Sequence, residues 1–135
     1  MYRDRLRPCP GCASPLQGVA VALTSRESSW AYVCEACGGT FLEYFAGEPV
    51  MIARAIARAG GRPDRPARPR RPAPCPDCER ELVIRPYLDD GPLLWRCPAC
   101  LALFATAAQL RQLAEYEQLE APPPWQMLLD WFLPG

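Results

Sequence analysis

Eight cysteines, arranged as four Cys-x-x-Cys pairs, constrain this chain more than any other feature of its sequence. A Cys-x-x-Cys turn lets two sulfurs converge on one ion, and a hairpin of 18 to 21 residues can bring a second pair beside the first. The pairs therefore predict two metal sites with four sulfur ligands each. The ligands are Cys9, Cys12, Cys34 and Cys37 in the first half and Cys75, Cys78, Cys97 and Cys100 in the second.

The expected metal is zinc, with two ions in total and one per four-cysteine site. Zinc in structural sites takes a closed tetrahedron of this kind, and the absence of histidine from the sequence excludes mixed Cys/His ligation. Two alternatives stay open. The cysteines could form disulfides in a secreted protein, or four thiolates could hold iron, as in a rubredoxin-like electron carrier.

The repeated cysteine pattern divides the 135 residues into two modules. Modules of this size bury little apolar surface, so we expect the metal to support their folding. The predicted fold class is a small metal-stabilised α+β protein with two tandem zinc ribbons, each a β-hairpin with zinc knuckles followed by a short helix. The predicted parts are residues 1–59 (first ribbon and helix), 60–74 (Pro/Arg-rich linker), 75–120 (second ribbon and helix) and 121–135 (apolar tail).

In the first half we expect strands over 16–23 and 30–33, with Gly18 as a bulge. A helix over 48–59 should follow, because Pro49 suits its first turn and its apolar residues recur at helical spacing. We expect this helix to pack on its own ribbon rather than on a partner.

In the second half, residues 82–88 read as an edge strand because Pro86 cannot donate a ladder hydrogen bond. A return strand over 93–96 leads into the last cysteine pair. Thr106 and Gln109 have the spacing of a capping box, which predicts a helix over 107–120.

The linker is rich in proline and arginine and cannot build a core. It is either a solvated spacer or a surface that contacts phosphate backbones by charge. The residues predicted for such contact, with nucleic acid or a partner, are Arg62, Arg65, Arg68, Arg70 and Arg71.

The tail carries many apolar side chains, and their exposure to water is unfavourable. We therefore expect the tail either to fold back on a ribbon or to dock on a partner. The candidate docking residues are Trp125, Leu128, Leu129, Trp131 and Phe132. The tail is too short to span a bilayer, and no stretch approaches the roughly 20 apolar residues that a membrane helix needs. With no signal peptide recognisable either, we expect a cytoplasmic protein.

Charge and composition narrow the function classes. The 15 basic residues, all arginine, balance the 15 acidic ones. Eight thiolates and two divalent ions would bring the formal charge to about −4. A net negative charge argues against the overall basic charge that nucleic-acid-binding proteins carry. The sequence has no histidine and no group of serine or lysine residues that could pair a nucleophile with a general base, as a catalytic site requires. We expect no enzyme activity and no small-molecule substrate.

Both halves resemble the transcription-factor-IIB-type zinc-ribbon family of small prokaryotic proteins. The shared pattern is a Cys-Pro-x-Cys knuckle, an apolar residue four positions on, a hairpin, a second Cys-x-x-Cys, an aromatic residue and a helix. The residues that carry it are Cys9-Pro10-Gly11-Cys12, Leu16, Cys34, Cys37-Gly38-Gly39, Phe41-Leu42-Glu43 and Gly47-Glu48, then Cys75-Pro76-Asp77-Cys78, Leu82, Cys97, Cys100, Phe104, Thr106 and Gln109-Leu110.

The resemblance covers residues 9–59 and 75–120, with three departures. The aromatic residue is phenylalanine where the family tends to carry tryptophan, and the first half has about two extra residues before Gly47. The second half has Leu101-Ala102 in place of the double glycine, which predicts a different closure of that knuckle. By analogy, the resemblance implies a role in a transcription-related assembly. The closed four-sulfur sites and the exposed faces of the two ribbons predict a non-enzymatic adaptor that binds a protein partner.

Overall fold

The computed structural model describes residues 7–60, 74–88 and 90–116, and these residues form an α+β fold. It combines one antiparallel sheet with two helices and a short 3-10 turn at Tyr44–Ala46. The elements are β1 (Gln17–Ala22), β2 (Ser28–Val33), β3 (Thr40–Leu42), α1 (Pro49–Arg58), β4 (Val83–Pro86), β5 (Leu93–Arg96), β6 (Leu103–Ala105) and α2 (Ala107–Glu115).

The six strands lie in the order β1-β2-β3-β6-β5-β4, so each half of the chain contributes three neighbouring strands. The halves meet where β3 pairs with β6, and Phe41 lies opposite Phe104 at the centre of that pairing. Each of these phenylalanines follows the last cysteine of its half by four positions. Equivalent residues therefore face each other, and the sheet has an approximate two-fold axis between them.

One face of the sheet carries a continuous row of side-chain positions that crosses all six strands, which we call the aromatic row. Its members, paired from one edge of the sheet to the other, are Gly18, Tyr32, Phe41, Phe104, Trp95 and Ile84. The two phenylalanines have no exposed surface, and both belong to one buried cluster with cysteines of both halves. Cross-strand aromatic pairs of this kind stabilise a sheet.

The opposite face of the sheet is covered by the two helices. Residues that alternate with the aromatic row, such as Leu42 and Leu103, point to this face and pack in one cluster with buried residues of both helices. The α1 contribution includes Ile52 and the α2 contribution includes Leu113. Apolar burial on this face is thus shared between the two halves.

Arg54, in the first half of the chain, caps the C-terminal end of α2, in the second half. The guanidinium of Arg54 donates to the carbonyl oxygens of Ala114, at 3.0 Å, and Tyr116, at 2.8 Å. The last carbonyls of a helix lack partners within it, and a cation there also suits the helix dipole. Arg54 therefore joins α1 to the end of α2.

Several local predictions are confirmed. Strand β4, which contains Pro86, lies at an edge of the sheet. The capping box at the start of α2 is complete, because the Thr106 side chain accepts from the Gln109 amide and the Gln109 side chain accepts from the Thr106 amide. The end predicted for this helix, at 120, is wrong, because α2 ends at Glu115 and the backbone of Tyr116 is already extended.

The predicted bulge at Gly18 is wrong, since β1 pairs with β2 without interruption. Gly18 instead leaves room for aromatic rings, because a Cβ at this position would lie 3.2 Å from Tyr32 and 3.5 Å from Trp30. The expectation that α1 packs on its own ribbon is confirmed, because its buried residues cluster with strand residues of the first half, and α1 packs on α2 as well. In the part of the chain that is described, neither helix has the length and hydropathy to cross a membrane.

The pairing that unites the halves was not predicted from the sequence. Strands β3 and β6 have three residues each, too few for a period-two pattern to be read, and their partners are far apart in the chain. The boundaries at 59, 74 and 120 stay predictions, but on the described residues the two halves share one sheet and both apolar clusters.

Replacing the phenylalanine at the centre of the sheet should strongly destabilise the fold. We expect Phe104→Ala to lower the free energy of unfolding by about 3–5 kcal/mol, because it removes a fully buried ring from both halves' common cluster. Urea unfolding of the metal-loaded protein measures this. Ile84→Ala is the matched control, because Ile84 is 42% exposed and lies at the end of the same row. It should lower the free energy of unfolding by less than about 1 kcal/mol. Equal effects of the two substitutions would contradict the central role of Phe104.

Candidate metal centres

The structure gathers the eight cysteines into two groups of four, the same groups that the spacing predicts. Within each group all four sulfur atoms lie within 4.8 Å of one another. In the first group, Cys12 Sγ lies 3.4 Å from Cys34 Sγ, and Cys9 Sγ lies 3.7 Å from Cys37 Sγ. The corresponding distances in the second group are 3.3 Å and 3.6 Å. None of the eight forms a disulfide.

These separations suit a single ion at the centre of each group. Metal–sulfur bonds of about 2.3 Å in a tetrahedron place the sulfurs about 3.8 Å apart, close to the distances found here. The donor set is four soft thiolates with no oxygen or nitrogen ligand, which favours zinc or iron over magnesium or calcium. Each group could therefore hold one metal ion.

All four Cys-x-x-Cys segments close by the same backbone hydrogen bonds. In each, the amide of the first cysteine donates to the carbonyl five residues on, and the amide four residues on donates back to that cysteine's carbonyl, at distances of 2.7–3.0 Å. The residue after the second cysteine has a positive φ every time. These residues are Ala13 (67°), Gly38 (80°), Glu79 (63°) and Leu101 (63°).

The different closure predicted for the last knuckle is therefore wrong. Leu101 adopts the left-handed conformation that Gly38 adopts at the equivalent position, and Cys97 accepts from its amide as Cys34 does from that of Gly38. Convergence of two sulfurs on one point requires this turn whichever residue occupies it. A side chain in this conformation costs about 1–2 kcal/mol, which the remaining contacts of the knuckle must offset.

Backbone amides also point at the sulfurs. The amide of Gly11 donates to Cys9 Sγ at 3.3 Å, that of Gly39 to Cys37 Sγ at 3.4 Å, and that of Cys100 to Cys97 Sγ at 3.5 Å. Such hydrogen bonds stabilise thiolate charge and orient the ligand atoms. The knuckle turns thus supply both the shape of the site and part of its electrostatic support.

The thiols within each group differ in their affinity for protons. Burial raises the pKa of Cys9 and of Cys75 well above the ordinary value for cysteine, and it raises that of Cys37 to about 11. At Cys12, burial is outweighed by hydrogen bonds from Ser14 and the neighbouring thiols, which lower its pKa to about 7. At Cys97, burial is outweighed by the amides of Cys100 and Ala99, and the pKa is again about 7.

Each group therefore pairs a thiol that ionises near neutral pH with one that holds its proton. A cation entering the group must displace the proton from the buried thiol, so metal binding is coupled to proton release. The two groups also differ in exposure, since Cys78 is exposed whereas every cysteine of the first group is buried or half-buried.

An ion pair links the two knuckle regions. The guanidinium of Arg7, two residues before Cys9, lies 2.9 Å from a carboxylate oxygen of Asp77, which precedes Cys78. It also lies 3.1 Å from Glu43 and stacks over the ring of Tyr32, with its Cζ 4.3 Å from the ring centroid. This contact could not be predicted from the sequence, because its partners are distant in the chain and belong to different halves.

The other predicted site residues lie outside the described part of the chain. These are the linker arginines Arg62, Arg65, Arg68, Arg70 and Arg71 and the tail residues Trp125, Leu128, Leu129, Trp131 and Phe132. Their roles stay predictions from the sequence.

Comparison with known proteins finds no family model, no curated protein and no solved structure that matches this chain. The resemblance to the transcription-factor-IIB-type zinc ribbons therefore depends on the motif residues alone and stays a prediction.

The strained knuckle residue gives a direct test of the geometry. We expect Leu101→Gly to raise the free energy of unfolding by about 0.5–1 kcal/mol, because relief of the left-handed strain exceeds the entropy that glycine loses on folding. Ala102→Gly is the matched control, since Ala102 is the next residue, is buried, and is not in the left-handed region. It should lower the free energy of unfolding by a similar amount. Urea unfolding with metal present measures both, and destabilisation by Leu101→Gly would count against the turn.

Proposed function

We propose that each half of the chain is a zinc ribbon and that each four-cysteine group holds one structural zinc ion. The observation that carries this proposal is the convergence of four sulfurs within 4.8 Å, twice, on knuckles that close by identical hydrogen bonds. Zinc is the usual occupant of such a donor set in a structural site. The small size of each half adds support, because a three-stranded unit of this kind needs a further source of stability.

The protein acts without catalysis in this proposal. Four cysteine sulfurs fill all four positions of a tetrahedral ion, so no position is left for water or substrate, which a catalytic zinc requires. The zinc ions would then fix the sheet and the surfaces that it presents, and function would depend on what those surfaces bind.

We assign the function of an adaptor for a protein partner, supported by apolar side chains on the face that carries the cysteine groups. Trp30 is 59% exposed and Leu93 52% exposed, and they occupy equivalent positions in β2 and β5, four residues before a metal-site cysteine. Trp30 lies two residues before Tyr32 and Leu93 two residues before Trp95, so both share the face of the aromatic row. Exposed aromatic and aliphatic residues of this kind are typical anchors of protein interfaces. The motif resemblance favours a transcription-related assembly as the setting.

Metal content tests the first part of the proposal. We expect freshly purified protein to contain two zinc ions per chain and to be colourless. A chelator that removes them should abolish the cooperative unfolding transition, because the ligands and the fold assemble together. Elemental mass spectrometry, a visible spectrum and circular dichroism give these readouts. A red protein containing iron would instead support the rubredoxin-like electron carrier, and a metal-free protein with disulfides would refute both.

Partner capture tests the adaptor assignment. Zinc-loaded protein, immobilised and exposed to an extract of its native host, should retain a defined partner, and Trp30→Ala should reduce that retention at least several-fold. Met51→Ala is the matched control, because Met51 is 40% exposed but lies on α1, which covers the other face of the sheet. A partner retained equally by wild type and Trp30→Ala would place the interface elsewhere.

A further inference from the structure

The two candidate metal centres are connected by side chains of the described core that pack against both of them. Cysteines of both groups belong to a single buried cluster, together with Phe41 and Phe104. In two independent modules each group would have its own surroundings. Because the two groups share this cluster, ordering the side chains around one group also orders side chains that pack against the other.

The first connection runs from the second half to a sulfur of the first. The ring of Phe104 packs directly on Gly39, where an added Cβ would lie only 2.6 Å from its Cζ. Gly39 in turn donates its amide to Cys37 Sγ at 3.4 Å and accepts from the Cys34 amide at 2.8 Å. A residue of β6 therefore rests on the backbone that shapes the first metal site.

The second connection is the ion pair between Arg7 and Asp77, at 2.9 Å. The carbonyl of Arg7 accepts from the Leu16 amide at 2.8 Å, which ties it to the hairpin of the first knuckle. Asp77 lies inside the third knuckle, between Cys75 and Cys78. The two charges meet only when both knuckles hold their positions.

We propose that the two sites bind metal cooperatively, so that an ion in either site raises the affinity of the other. This rests on the proposed function as a protein with two structural zinc ions. The first ion fixes its own knuckles and thereby presents Gly39 to Phe104 and Arg7 to Asp77. The second ion then binds a chain that is already partly ordered and pays less conformational entropy. By linkage the effect is equal in both directions.

The distribution of metal over the sites measures this coupling without any substitution. Reduced, metal-free protein is brought to half of full occupancy in a zinc buffer containing a competing chelator, and native mass spectrometry counts the chains with zero, one and two ions. Two equal and independent sites would leave about half of the chains with one ion. A coupling factor of about 5 to 150, the usual range for linked sites, lowers that fraction to about 30% or less.

The outcomes separate this inference from the function on which it rests. A singly loaded fraction below one half supports coupling, because independent sites, equal or unequal, leave at least half of the chains with one ion at half occupancy. A fraction of one half or more, with two ions bound at saturation, overturns coupling and leaves the zinc sites intact. Failure to bind two ions overturns the zinc sites themselves.

One substitution tests the ion pair as a route of coupling. Arg7→Gln removes the charge that faces Asp77 and leaves all eight cysteines in place. We expect it to increase the singly loaded fraction at half occupancy toward one half. Arg58→Gln is the matched control, an exposed arginine at the end of α1, and should leave the fraction unchanged. Equal fractions in wild type and Arg7→Gln would overturn the role of the ion pair.

Discussion

The pairing of β3 with β6 is the interaction on which the rest of this structure depends. Each strand has only three residues, yet their contact turns two small sheets into one of six strands. It also sets Phe41 against Phe104, so that, among the described residues, the fully buried aromatic rings lie at the junction and not at the centre of either half. A junction of backbone hydrogen bonds and buried rings is stable because both faces of the strands are covered.

The cover differs on the two faces, and the difference has a physical reason. On one face α1 and α2 bury aliphatic side chains, and Arg54 joins them at the end of α2. On the other face cysteine groups take the place of helices and pack against the aromatic row. Sulfur is polarisable and packs well on aromatic rings, so the cysteine groups can serve as a layer of the described core. The protein thus obtains a three-layer arrangement from a short chain.

The parts of the structure that depend on neighbours in the chain could be predicted from the sequence. Cys-x-x-Cys turns, the capping box of Thr106 and Gln109, and the edge position of the strand containing Pro86 each follow from residues a few positions apart. The association of the halves could not be predicted, because β3 and β6 are too short to show a periodicity and pair across more than sixty residues. The closure of the knuckle at Leu101 could not be predicted for another reason. Its left-handed turn is imposed by the two sulfurs that must converge, and this requirement outweighs the preference of leucine.

The symmetry of the sheet has a consequence for the role of chain connectivity. The contacts between the two halves are non-covalent, and they include the β3–β6 ladder, the packing of α1 on α2 and the Arg7–Asp77 pair. These contacts are made by residues outside the peptide connection between residues 60 and 74. That connection favours association of the halves by giving each a high effective concentration near the other. A break in the chain between these residues would change the association of the halves from concentration-independent to concentration-dependent, while each of these contacts would remain available to the two fragments.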